Sequence, residues 1–171
     1  MKKTLYGFGI STILVVGIAW FLNFAIHNGQ FTKWSHTSLV KGLFKDEKAY
    51  YVDYLFHWEG FGNPTLQKVE FIKTNGDILA KDDDHFRIET YISNQQRGSF
   101  DEESAINEGI TDELLQVKGY KVEGEFSLAL IAELMDQETD IDIATVRIAY
   151  KKFGKTQFQN IPFDDGLISE E

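Results

Sequence analysis

Cysteine is absent from the 171-residue chain, and proline occurs only twice. Without a thiol there can be no disulfide framework, thiolate zinc site, iron–sulfur cluster, cysteine nucleophile or lipid-bearing cysteine. So little proline excludes collagen-like and proline-rich low-complexity classes. Acid is missing from the first 45 residues, which hold five lysines, whereas residues 46–171 hold 12 basic against 27 acidic groups. A basic start therefore precedes a body of net charge −15 within a chain of net −10. Apolar residues make up 43% of the chain and aromatics 14%, enough to bury one domain's core, so disorder over the whole length is excluded.

Charge is also missing from Leu5 to Ile26, a run of 22 residues preceded by Lys2 and Lys3. As a helix this run is about 33 Å long, against a hydrocarbon core of about 30 Å. Its length, and the lack of two small residues spaced for cleavage near Trp20 to His27, favour an uncleaved signal-anchor over a signal peptide. Secretion after cleavage is the alternative. The lysines before the run place the amino terminus in the cytoplasm and residues 28–171 outside. Tyr6, Trp20, Phe21 and Phe24 suit the two interfaces.

From Lys48 the apolar pattern has a period of two. Tyr50, Val52, Tyr54, Phe56 and Trp58 fall on one face of a strand, and Tyr51, Asp53, Leu55, His57 and Glu59 on the other. Gly60-Phe61-Gly62-Asn63-Pro64 breaks it, and Leu66 to Lys73 resumes it. Asn75-Gly76 predicts a tight turn with both central residues at positive φ. Phe86, Ile88, Thr90 and Ile92 mark another strand, while residues 94–117 predict a long polar connection with one short helix. Period two returns at Tyr120, Val122, Phe126, Leu128, Leu130 and Leu134. Ser127 to Met135 consists of good helix formers, so a helix near 126–136 in an α+β fold competes with a strand there. Ile141 to Tyr150 and Thr156 to Phe163 flank a hairpin turn at Lys152-Phe153-Gly154-Lys155, and the acidic tail 164–171 is expected to fray. About seven short strands over 48–163, with no βαβ alternation, predict a mainly β fold, an antiparallel immunoglobulin-like sandwich. Residues 27–47 read as a membrane-proximal stalk with a possible first strand.

No nucleophile elbow, phosphate loop, dinucleotide fingerprint or H-E-x-x-H helix is present. Asp82, Asp83, Asp84 and His85 place carboxylates beside an imidazole, which could hold a divalent cation or form an acid/base pair. Asp136, Glu138, Asp140 and Asp142 are spaced by two, so an extended backbone would put all four on one side. Outside a cell, calcium is the hard cation these oxygens would meet. An EF-hand is excluded, because Ile141 stands where its glycine and Arg147 where its bidentate glutamate would be needed. Phe61, between two glycines, and Trp34, in a basic-aromatic stretch beside the anchor, are the candidate partner contacts. An acidic body disfavours nucleic acid. The expected function is a membrane-anchored, non-catalytic binding module of a bacterial envelope, with protein or envelope partners. A carboxylate-dependent envelope enzyme using Asp84, His85 and Glu59, or a calcium-responsive module, is the alternative.

Overall fold

The computed structural model describes residues 2–169, with the side chains of residues 2–11 and 45–47 outside the description. Helix α1 (Lys2–His27) leads into β1 (Gln30–Lys33) and β2 (Leu39–Val40), then a 3-10 turn at Lys41–Glu47. There follow β3 (Tyr50–Glu59), β4 (Thr65–Lys73), β5 (Phe86–Ser93), β6 (Ser99–Asp101), the short helix α2 (Glu102–Asn107) and β7 (Leu115–Gln116). The chain continues through β8 (Glu125–Leu134), β9 (Ile143–Lys152), β10 (Lys155–Pro162) and β11 (Ile168–Ser169). The fold is mainly β, and its main sheets are antiparallel. The first sheet has the order β1-β3-β8-β5-β7, with β6 also pairing β3, and the second has the order β10-β9-β4.

The two sheets share one apolar core. Val52, Tyr54, Phe56 and Trp58 of β3 meet Leu66, Val69 and Phe71 of β4 and Val146, Ile148 and Tyr150 of β9 in it. The expected inner face of β3 is therefore the real one. Its other face is only partly solvated, because the 94–117 connection lies over Tyr51 and Asp53. Tyr51 and Ala129 pack with Ala105 and Ile110 in a second, smaller core. Asp53 is buried there and accepts the backbone N–H groups of Arg97 at 2.6 Å and Gly98 at 3.2 Å, which ties the connection down.

Several expectations are corrected. The alternative helix near 126–136 is a strand: Phe126 to Leu130 are all buried, and a centre strand covered on both faces takes apolar residues without alternation, whatever their helix propensity. The strand begins at Glu125, not Tyr120. At Asn75-Gly76 only the glycine has positive φ, 89°. The turn with two left-handed residues is instead Phe153-Gly154, at φ 48° and 81°. The tail does not fray as far as Ser169. Phe163 and Leu167 are buried, β11 pairs in parallel with β2, and Asp165 accepts from Lys33 at 3.2 Å and His36 at 2.7 Å. Residues 27–47 supply β1 and β2, with Leu39 and Phe44 buried.

The expected span begins among residues whose side chains lie outside the description, and among the described residues no helix is long and apolar enough to cross a membrane. From Ile13 to Phe24, nine apolar side chains of α1 stand half or more exposed, or nearly so.

Leu130 lies fully buried at the middle of β8, so Leu130→Ala should lower the unfolding free energy by about 2–5 kcal/mol. Urea titration of the full chain in detergent should show a lower midpoint with an unchanged m-value.

Candidate functional site

The strand registers give the domain two ends. β3 leaves its Glu59 end beside the helix, where Gln30 pairs with Glu59, and its Tyr50 end lies opposite, paired with Ala132. β4 begins at the helix end, with Thr65 opposite Lys151, and finishes at the far end, with Lys73 opposite Ile143. The two acidic clusters singled out from the sequence both belong to the far end, in the turns 74–85 and 135–142. These turns adjoin: Thr74 N–H donates to the Asp142 carbonyl at 2.8 Å, and Met135 N–H to that of His85 at 2.8 Å.

Within them, the carboxylates diverge. Asp82 and Asp84 point to solvent, while Asp83 turns inward. Its carboxylate pairs with buried Lys73 at 2.6 Å and accepts the backbone N–H groups of His85 at 2.9 Å and Phe86 at 3.2 Å. Burial alone would raise the Asp83 pKa, but these bonds outweigh it and hold the carboxyl below its usual range. Asp136, Glu138 and Asp140 are exposed on a turn, not aligned along a strand, because the Asp136 side chain accepts the Glu138 N–H at 3.0 Å and bends the backbone. Asp142 turns in and accepts from the N–H groups of Ile143 at 2.7 Å and Leu167 at 3.0 Å. Burial pushes its pKa up, against the pull of those bonds. Two of the expected ligands are thus spent on holding turns and tail. Among the described residues, no group of three or more His, Asp or Glu side chains could hold a metal ion. Nor does Glu59, exposed at the helix end, meet Asp84 and His85 at the far end.

At the helix end the domain caps α1. The last carbonyls of a helix have no partner within it and carry its negative dipole end. Here buried Lys152 donates to the Asn28 carbonyl with its ammonium 4.8 Å from the Trp58 ring, and Gln157 donates to the Ile26 carbonyl at 3.0 Å. Burial lowers the Lys152 pKa. Gly29 and Gly60 let the chains cross under Trp58, since a Cβ on Gly60 would lie 2.4 Å from the Gly29 Cα. Phe61 lies half exposed between Phe21 and Phe153, at ring separations of 5.7 and 5.9 Å. Trp34 stacks on His57 at 4.3 Å with half its surface exposed.

The second feature is an open edge. β7 pairs only Tyr91 and Ile92 of β5, so among the described residues Phe86 to Thr90 have no strand on that side. The outer side of β4 carries only isolated bridges, Thr65 with Lys121 and Ile72 with Ile78. Between these two edges lie adjoining hollows of about 400 and 270 Å³, which share Ala80, Lys81, Ile88 and Thr90. Free backbone groups beside pockets at alternate residues can accept an added strand. Sequence reasoning named Phe61 and Trp34 but missed Phe153, the capping of the helix and the open edge. The signal for the first was a phenylalanine in a turn where asparagine or aspartate fits better. For the edge there was none, because a free edge depends on which strands pair. No protein-family model, curated protein or solved structure matches the chain.

Lys73→Met leaves the Asp83 charge buried without its partner and should cost about 3–5 kcal/mol. Asp83 has a depressed folded pKa, so the stability its charge contributes is full above the unfolded value of about 3.9 and is lost as pH falls through the folded value. Urea midpoints of the native chain and Asp83→Asn should therefore differ at pH 7 and converge as pH falls through the folded value.

Proposed function

We propose that the chain is a single-pass membrane protein in which Leu5 to Ile26 anchor an extracytoplasmic immunoglobulin-like domain, and that this domain is a non-catalytic binding module of a bacterial envelope. The observation that carries the reading is the helix itself. It is uncharged over 22 residues, nine of its apolar side chains from Ile13 to Phe24 are about half or more exposed, and its contacts with the domain are at its carboxyl end, through Phe21 and the last turn. A helix with this much apolar surface left uncovered by protein needs an apolar surrounding. Lys2 and Lys3 favour the orientation with the amino terminus inside.

Strand order supports the immunoglobulin-like part. Seven strands have four or more residues: β1, β3, β4, β5, β8, β9 and β10. Lettered A to G in chain order, they pair as A-B-E-D and C-F-G, the arrangement of the constant-type domain. The disulfide of antibody domains is missing, and Trp58 stands on the second strand instead of the third. Burial replaces the disulfide as the tie between sheets.

The open edge supports binding as the role. An extended partner segment laid along Ile88 to Thr90 would pair with the uncovered side of β5 and set alternate side chains into the adjoining hollows, one of them shared with β4.

The chain's lack of cysteine makes one engineered thiol unique. With Phe158→Cys, on the exposed face of β10, the protein should stay in the membrane after an alkaline wash and react with an impermeant thiol reagent on intact cells. Release by the wash would refute the anchor, and labelling only after lysis would refute the orientation. A photo-crosslinking amino acid at Glu89 should give a discrete protein adduct in that membrane that the same group at Phe158 does not; equal patterns would remove the edge as a binding face.

A further inference from the structure

Three phenylalanines at the helix-bearing end touch in a row and take no part in the open edge. Phe21 of α1 meets Phe61 edge to face at 5.7 Å, and Phe61 stacks on Phe153 at 5.9 Å with 27° between planes. Each is about half exposed, at 49%, 47% and 54%. Phe153 is unfavourable twice over. Its backbone is left-handed, which a side chain of this kind rarely adopts, and its ring is left largely in the open. Lys151 and Lys155, both exposed, stand on either side of the turn that carries it. Carboxylates are exposed at this end too, Glu59 at the close of β3 and Glu123 and Glu125 around the start of β8.

The depth of the contact is informative. Phe21 precedes Ile26 by five residues, about 7.5 Å along a helix rising 1.5 Å per residue. By reaching Phe21, the β3–β4 loop extends back past the last turn of α1, alongside its apolar surface. Trp20 and Phe24, which stack on each other at 6.1 Å, are also exposed on this end of α1.

We propose that Phe61 and Phe153, continued by Phe21, form a foot that sits in the interfacial layer of an anionic bilayer, rings at the boundary between headgroups and acyl chains and Lys151 and Lys155 toward the phosphates. The proposal rests on the anchoring reading above. The foot holds the domain against the outer leaflet, and the two loops share the lipid environment of the helix end.

The test uses the full chain in vesicles of phosphatidylcholine and phosphatidylglycerol, with an environment-sensitive fluorophore on single cysteines at four positions. Phe61→Cys and Phe153→Cys report the foot, Leu14→Cys reports the helix, and Phe158→Cys is the aqueous control. At positions 61 and 153 the emission should be blue-shifted relative to 158 and quenched at least twofold more by lipids with the quencher near the headgroup than by those with it at the chain end. Position 14 should show the reverse order. If 14 is quenched from within the bilayer while 61 and 153 behave like 158, the foot is wrong and the anchor stands. If 61 and 153 shift to the blue without any lipid quenching, a protein contact covers them and the foot is wrong. If 14 is not quenched, the anchor fails and the foot with it.

Discussion

β3 and β8 pair without interruption from Tyr50 with Ala132 to His57 with Glu125, and over most of that length neither strand faces water on either side. On one face the second sheet supplies Leu66, Val69, Val146 and Ile148; on the other the 94–117 connection supplies Ala105 and Ile110. Apolar layers on both sides of a sheet fix register strongly, because a shift of one residue would exchange the two faces. Asp53, whose side chain shares the outer face of β3 with Tyr51, is tolerated in this setting because two backbone N–H groups meet its carboxylate. The rest of the domain is arranged around this pair: the second sheet, the covering connection and the strands at each edge are positioned by what β3 and β8 must bury.

The charge imbalance of the sequence is in part a separation in space, although Glu59, Glu123 and Glu125 are exposed at the helix-bearing end. Lys152, Lys155 and His27 lie at the helix-bearing end, where Lys155 and His27 approach to 3.1 Å. Asp82, Asp84, Asp136, Glu138 and Asp140 lie at the opposite end and face solvent. Cations beside the carboxyl end of a helix are favourably placed, and so are carboxylates that remain hydrated.

Much of this fold was legible in the residues. The inner face of β3, the break at Gly60 to Pro64, the short helix and the β9–β10 hairpin all follow from period, turn chemistry and local spacing. What could not be read was set by pairing over distance. The outer face of β3 carries Tyr51 and Asp53 among Leu55, His57 and Glu59, a mixture that resembles a wetted surface until a connection 40 residues later covers part of it. In β8, helix propensity and strand burial gave opposing signals, and two-sided burial decided between them. The acidic clusters misled differently: spacing by two implies alignment only if the backbone is extended, and Asp136 bends its own segment. Phe61 was visible as an exposed aromatic between glycines. Its partner Phe153 was hidden by the regularity of the hairpin that carries it.

The parallel pairing of β2 with β11 joins Leu39 to Ile168, 129 residues apart in the chain. Leu39 is almost fully buried, and the Leu167 carbonyl accepts its N–H at 2.8 Å. During synthesis, the segment around Leu39 therefore emerges early and remains uncovered until Leu167 and Ile168 have followed it out. The two large sheets can form before then, but the far end of the domain closes last, so a nascent chain exposes an apolar seam there for most of its production.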